Sequence, residues 1–391
     1  MQRGPRAGES GYSIVSLGIY IHIPFCQSRC NYCHFVTEPF QRRKAGRYTD
    51  SVIKEIELFP SAVADNEEVN SIYFGGGTPS LLPSRHVYAM LTGCRRKYIV
   101  REDCEITLES NPGTISADKT MACLDFGVNR ISMGAQSFVD SELDSIGRLH
   151  TPAMIEESLR LLRESGFSNI NLDLMLGLPN QTLKSWKSNL ERVVALDVPH
   201  VSVYMLDLDD ECLLGASVAQ GLVRLPEEDL VADLYLFTID FLSSRGYRQY
   251  EISNFALPGF ACRHNLKYWT RKPVLGYGLA SHSFDGHSRY ANYRRMDDYL
   301  LAIEAGISPV DWREQLDEAR ALEETFFLGL RLNDGVNWSW LQDRFGRDGL
   351  EKHEKAIRKL IDEGLLERKD SILRLTSLGR LLSNEVFQRF I

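Results

Sequence analysis

No stretch of this chain is apolar for long enough to cross a membrane: a spanning helix needs about 20 consecutive apolar residues, and no run here approaches that. Met1 to Ser13 are polar and glycine-containing, without the apolar core of a signal peptide, and read as a disordered tail. Basic residues are not in excess either. With 45 Lys and Arg against 53 Asp and Glu, the formal net charge is −8, which argues against a broad nucleic-acid footprint but leaves room for a small anionic ligand in a local basic pocket. A disulfide framework is also missing, because eight cysteines in 391 residues are too sparse for one. Five of them (Cys94, Cys104, Cys123, Cys212, Cys262) are scattered, mostly in apolar contexts where cysteine acts as a small core residue. A reducing, cytoplasmic setting is expected, with no nucleic acid and no membrane span.

The other three cysteines crowd into one short stretch, Cys26-Gln27-Ser28-Arg29-Cys30-Asn31-Tyr32-Cys33. It follows the apolar run Leu17–Ile23, which Pro24 ends, so the thiols fall on a loop at the C-terminal end of a strand. As thiolates they are soft ligands for an iron–sulfur cluster or for zinc. A cubane cluster usually takes four thiolates, so three would leave one iron open to a further ligand. The spacing also permits a zinc loop lacking its fourth ligand, or a disulfide with a spare thiol.

A chain of this length exceeds the usual limit of one core, so a large and a smaller domain are expected. From Leu17 to about Leu206, short apolar runs alternate with amphipathic segments: Leu17–Ile23, Ser71–Phe74, Glu105–Leu108, Val128–Met133, Ile170–Met175 and Val201–Met205. Strands this apolar, separated by helices, predict a parallel sheet buried on both faces. Six such units suit an α/β fold, either a partial (β/α)6 barrel open on one side or a doubly wound sheet. Both build their sites at the C-terminal strand ends, and the polar residues collect there. Gly75-Gly76-Gly77-Thr78-Pro79 follows the second run but lacks the Lys-Ser/Thr ending of a phosphate loop. Glu109-Ser110-Asn111-Pro112-Gly113 follows the third, and Gln136 the fourth, with Arg148 soon after. Asp173 sits inside the fifth, costly unless paired or bound to a ligand.

Together, Cys-x3-Cys-x2-Cys, Gly-Gly-Gly-Thr-Pro and Glu-x-Asn-Pro resemble the radical S-adenosylmethionine (SAM) superfamily. Tyr20-Ile21-His22-Ile23-Pro24-Phe25-Cys26 is similar to the branch containing oxygen-independent coproporphyrinogen III oxidase and the heme chaperone HemW. The resemblance implies a partial barrel whose Cys26, Cys30 and Cys33 hold a [4Fe–4S] cluster. SAM chelates the open iron, and a reduced cluster passes one electron to the sulfonium to release a 5′-deoxyadenosyl radical. It also implies SAM contacts from Tyr20, Gly76, Gly77, Thr78, Glu109, Gln136, Arg148 and Asp173.

Two features separate the branches. The oxidase has a further cysteine close behind the third, whereas Cys33 is followed here by His34-Phe35-Val36. That resembles HemW, although HemW proteins usually carry an acidic residue where His34 stands. The second feature, His264-Asn265-Leu266-Lys267-Tyr268-Trp269, matches the HemW motif associated with heme, which implies heme contacts from His264, Tyr268 and Trp269. The expected function is therefore a heme chaperone that passes heme to an acceptor protein and draws on an electron donor for its cluster. Oxidative decarboxylation of coproporphyrinogen III is the alternative.

The expected division is a tail over 1–13, a core over 14–245, a connecting region over 246–318 and a winged-helix-like domain over 319–391. In that last part three helical stretches precede a hairpin around Asp370-Ser371, and its balanced charge suggests a lid or docking module.

Overall fold

A computed structural model describes residues 16–58, 67–209 and 212–391; the tail expected over residues 1–13 lies outside them. Six parallel strands carry the core: β1 (Leu17–Ile23), β2 (Glu68–Gly76), β3 (Ile99–Ser110), β4 (Arg130–Gln136), β5 (Ile170–Leu176) and β6 (His200–Met205). They pair in chain order with no reversal, which removes the doubly wound alternative, whose order reverses at a switch point. Crossovers of one hand in sequential order place the connecting helices on a single face and turn the other face inward, as in a partial barrel.

Further strands extend the same sheet on both sides. Beside β6 lie β7 (Arg248–Glu251) and β8 (Asn254–Ala256), both antiparallel additions. On the other side, β9 (Val274–Tyr277) runs parallel to β1, followed by antiparallel β10 (His282–Phe284), β11 (Ser288–Asn292) and β12 (Val310–Gln315).

The strands alternate more sharply than their apolar appearance suggests. Ile19, Ile21, Ile72, Phe74, Ile106, Leu108, Ile131, Met133, Leu172, Leu174, Val201 and Val203 enter one core with the helices. The intervening positions form polar rows. Ser71 and Tyr73, Glu105 and Glu109, Arg130 and Ser132, Asn171 and Asp173, and His200 and Ser202 share the opposite face by the period of two. The sheet is buried on both faces, one apolar against the helices and the other polar and lining the interior.

That interior is plugged at the N-terminal strand ends by the helix Arg263–Trp269. Glu105 accepts hydrogen bonds from the first two N–H groups of the helix, Arg263 N at 3.1 Å and His264 N at 3.0 Å, where a carboxylate meets both the orphan donors and the positive end of the dipole. Residues 318–390 form a second core, with a three-stranded sheet of Val336–Asn337, Leu366–Lys369 and Ile372–Leu375. Two of the expected helical stretches lie in Trp338–Asp362, which is two helices separated by a kink at Gly346, whose φ of 74° glycine adopts without strain. The fold is thus α/β with a winged-helix-like C-terminal unit.

Candidate functional site

The cysteine loop is tied down at several points. Phe25–Cys26 pairs with Glu38–Pro39, Asn31 N donates to Ile146 O at 3.1 Å and Leu214 N donates to Asn31 O at 2.9 Å. His34, just after the third cysteine, donates to Asp209 Oδ2 at 2.6 Å and to Asp207 O at 2.9 Å. Both partners are acceptors, and those two bonds raise the affinity of the imidazole for its second proton. This clasp joins the loop to the segment after β6.

Cys26, Cys30 and Cys33 are free thiols, which sets aside the disulfide alternative, and all three border a cavity of about 290 Å3 at the C-terminal strand ends. Gly76, Gly77, Glu109, Gln136, Arg148 and Asp173 line the same cavity. Two further candidates stand beside it. Thr78 hydrogen-bonds Cys26 Sγ at 3.6 Å, and Tyr20 stacks on Tyr73, ring centroids 6.2 Å apart.

Arg148 is the central cation. Its Nη2 donates to Asn111 Oδ1 at 2.5 Å and to Gly134 O at 2.6 Å, and its Nη1 approaches Cys30 Sγ at 3.5 Å. A guanidinium there favours thiolate over thiol and suits a carboxylate ligand. Burial pushes the Cys26 and Cys33 thiols up, so binding iron must release their protons. Gln136 occupies a left-handed backbone conformation, φ 64°, at a register slip between β4 and β5. Such strain in a non-glycine residue persists where it aims a side chain. Its Oε1 is buried without a partner, as is Ser110 Oγ beside it in the cavity wall.

These observations fit a [4Fe–4S] cluster with SAM. The orphaned oxygens need donors such as ligand hydroxyl or amino groups. Among the described residues, no three Cys, His or carboxylate side chains converge as one metal ion requires; a cubane instead gives each thiolate its own iron. Gly77 leaves the room that the loop needs, because a Cβ there would lie 2.8 Å from Phe25 O and 3.0 Å from Cys26 Sγ. Gly77→Ala must therefore shift the cysteine loop, and the variant is expected to lose most of its reconstituted iron. Gly93→Ala, whose Cβ meets nothing closer than 3.8 Å, should retain it; iron and sulfide analysis checks both.

Glu109 receives Tyr73 Oη at 2.8 Å and Gly76 N at 3.0 Å. Burial pushes its carboxyl up to about 7; Asp173 adds to the rise, while those two bonds and Arg130 oppose it. The folded state then holds a proton between about 4.5 and about 7 that the unfolded chain has released, so stability falls as pH rises through that window. The loss is roughly 3 kcal/mol for this group. Glu109→Gln should remove that part of the slope in urea titrations across the pH range. A similar part remains from Glu55, which burial likewise pushes up to about 7. A slope unchanged by the substitution would show that Glu109 titrates normally.

The structure treats the other motif differently. His264 is only 1 % exposed. Its Nδ1 meets Ser71 Oγ and its Nε2 meets Tyr268 Oη, both at 3.0 Å, and burial lowers its pKa to about 3. The imidazole is a neutral hinge of the barrel plug with no nitrogen open to iron. Trp269 packs beneath Arg331 of the C-terminal part, 4.4 Å from guanidinium to ring centre. Tyr268 borders a second open cavity, which it shares with Tyr20.

Sequence reasoning gave no role to His22, Tyr73 or Asn111. His22 donates to Val36 O at 3.2 Å, accepts from Tyr20 Oη at 3.1 Å, and packs on Gly76, whose hypothetical Cβ would fall 2.5 Å from its ring. Asn111 links Arg148 to Thr78. The signal for Tyr73 was present: polar residues two apart along each strand mark the inward face.

Comparison with known proteins agrees with this geometry. The radical SAM superfamily profile matches residues 20–193 and the HemN C-terminal domain profile residues 316–382. The chain is 36 % identical over 375 residues to the heme chaperone HemW of Lactococcus lactis, covering 95 % of this chain and 96 % of that protein. It is 35 % identical over 376 residues to the heme chaperone HemW of Bacillus subtilis, covering 95 % and 98 %. Among solved structures, coproporphyrinogen III oxidase (HemN) from Escherichia coli, described as a radical SAM enzyme, superposes with a TM-score of 0.83 at 25 % identity, covering 97 % of this chain and 91 % of that one.

Proposed function

Because this chain belongs to the HemW family within the radical SAM superfamily, we propose that it is a heme chaperone: it carries a SAM-ligated [4Fe–4S] cluster, binds heme and passes it to an acceptor protein. Family membership implies the cluster and SAM; heme and its transfer are the proposal. The observation that carries it is the cysteine loop, where Cys33 is followed by the His34–Asp209 clasp and by exposed Phe35 instead of a further thiol.

Cys26, Cys30 and Cys33 would hold the cluster, which supplies one-electron chemistry when loaded. Arg148 would pair with a carboxylate of SAM, Gly76 and Gly77 would admit its backbone-like portion, and Glu109 and Asp173 would accept from ribose hydroxyls. Gln136 and Ser110 would give their unpartnered oxygens to ligand donors. His264, Tyr268 and Trp269 would contribute to heme handling by holding the barrel plug that brings Tyr268 to the second cavity. Among the described residues no helix is long and apolar enough to cross a membrane, which suits work in a reducing cytoplasm beside an electron donor.

The test pairs two assays on the cluster-reconstituted protein. Titration with hemin should give stoichiometric binding, and incubation with coproporphyrinogen III, SAM and reductant should leave the substrate unchanged. Conversion to protoporphyrinogen would replace the chaperone reading with the oxidase.

A further inference from the structure

The second cavity, of about 340 Å3, lies on the other side of the cysteine loop's flank from the cluster site. Phe35 borders both cavities. Its size falls in the range of small-molecule clefts, roughly 300–1,000 Å3. Its wall is aromatic to an unusual degree for open surface: Phe35 is 63 % exposed and Trp312 is 42 % exposed, with Tyr20 and Tyr268 deeper in. Large aromatics left open to water in one concavity favour a flat apolar ligand.

Three histidines border this cavity, and their hydrogen bonds differ. His22 is buried between Tyr20 Oη and Val36 O, and His34 is doubly engaged by Asp209 and Asp207. The imidazole of His282 on β10 is exposed, stands edge-on to Trp312 with ring centres 5.9 Å apart, and makes no hydrogen bond among the described residues. Arg294, on the same wall, is exposed and makes no ion pair among the described residues. An open imidazole, an open guanidinium and flat aromatic walls are the complement of a metalloporphyrin: nitrogen for the iron, aromatics for the ring faces, a cation for a propionate.

We propose that this cavity is the tetrapyrrole site, with His282 as the axial ligand of the heme iron, Trp312 and Phe35 against the macrocycle and Arg294 on a propionate. The assignment rests on the chaperone reading above. It places iron ligation on His282 and not on His264, which has neither an open nitrogen nor an exposed face. It also sets the heme one side chain, Phe35, from the cluster cavity.

The experiment titrates the full-length, cluster-reconstituted protein with hemin and, separately, with metal-free protoporphyrin IX, reading absorbance and the electron paramagnetic resonance of the ferric iron. His282→Ala should lose the imidazole-ligated ferric signature and bind hemin at least tenfold more weakly, yet bind metal-free protoporphyrin as the unaltered protein does. Trp312→Ala should weaken both ligands. His282 is the exposed residue of its strand, so the variant should keep its thermal midpoint, while folded His264→Ala should retain imidazole ligation. An unchanged imidazole signature in His282→Ala, or its loss in folded His264→Ala alone, would overturn the site and leave the chaperone reading standing. Absence of hemin binding by the unaltered protein would overturn both.

Discussion

Cys30→Ser should leave the anaerobically reconstituted protein almost colourless, with iron and sulfide near the level of an unreconstituted control. The loop supplies three thiolates, and a serine hydroxyl is neither soft nor acidic enough to replace one at neutral pH. Removing one leaves two irons without protein ligands, and the cubane loses its anchorage. Arg148 sharpens the effect at this cysteine, because its guanidinium lies 3.5 Å from Cys30 Sγ and would otherwise stabilise the thiolate. The fold should survive, since Cys30 is half-buried on a loop whose anchors are backbone bonds from its neighbours. Cys123→Ser is the contrast: that thiol is buried in the core among helices and apolar strands, so the variant should lose stability and keep its cluster. Full cluster content in Cys30→Ser, with circular dichroism unchanged in both proteins, would refute the ligand assignment.

Glu105→Leu should be the most destabilising single substitution in the barrel, lowering stability by about 3–5 kcal/mol, the usual cost of stripping the partner from a buried charge. The carboxylate accepts from Arg263 N, His264 N and, at 3.5 Å, Cys262 Sγ. It also faces buried Arg130 of β4. Leucine would orphan the helix donors and strip one of the anionic groups that face the buried guanidinium. Glu105→Gln keeps an acceptor and should lose much less. The denaturation midpoint in urea measures the difference; near-equal midpoints for the two variants would mean that the charge does not hold the plug.

These two expectations differ in what made them visible. Cys26, Cys30 and Cys33 could be read directly, because eight residues confine all three thiols to one loop whatever the fold does. Glu105 could not. It lies 157 residues before Cys262 and 158 before Arg263 in the chain, and nothing local in Glu105–Leu108 distinguishes an interior carboxylate from one facing solvent. The same holds for His264: its spacing to Tyr268 and Trp269 is legible, but only the sheet reveals that Ser71 and Tyr268 occupy both its nitrogens.

Strand positions emerged from the apolar runs, with ends misplaced where polar residues continue the strand. β3 begins at Ile99, well before Glu105, because Ile99 and Val100 already pair with β2 and the charged Arg101-Glu102-Asp103 stretch that follows hides the continuity of the strand. The polar inward rows were hidden for a related reason. The inward face of the strands borders an open cavity at their C-terminal ends, so the usual rule that strand interiors are apolar fails on that face.

By itself the sequence determined the cysteine loop, the glycine turn after β2 and the alternation of strands and helices, because those depend on neighbours within a few residues: thiol spacing, backbone freedom and periodicity. The tertiary structure decided which distant side chains meet. Sequential parallel pairing brings Glu109, Gln136, Arg148 and Asp173 to one cavity, buries His264 under the barrel and leaves His282 open beside Trp312. Whether a histidine's nitrogens are occupied can depend on a group far off in the chain, as Ser71 lies 193 residues from His264, and only folding sets that distance.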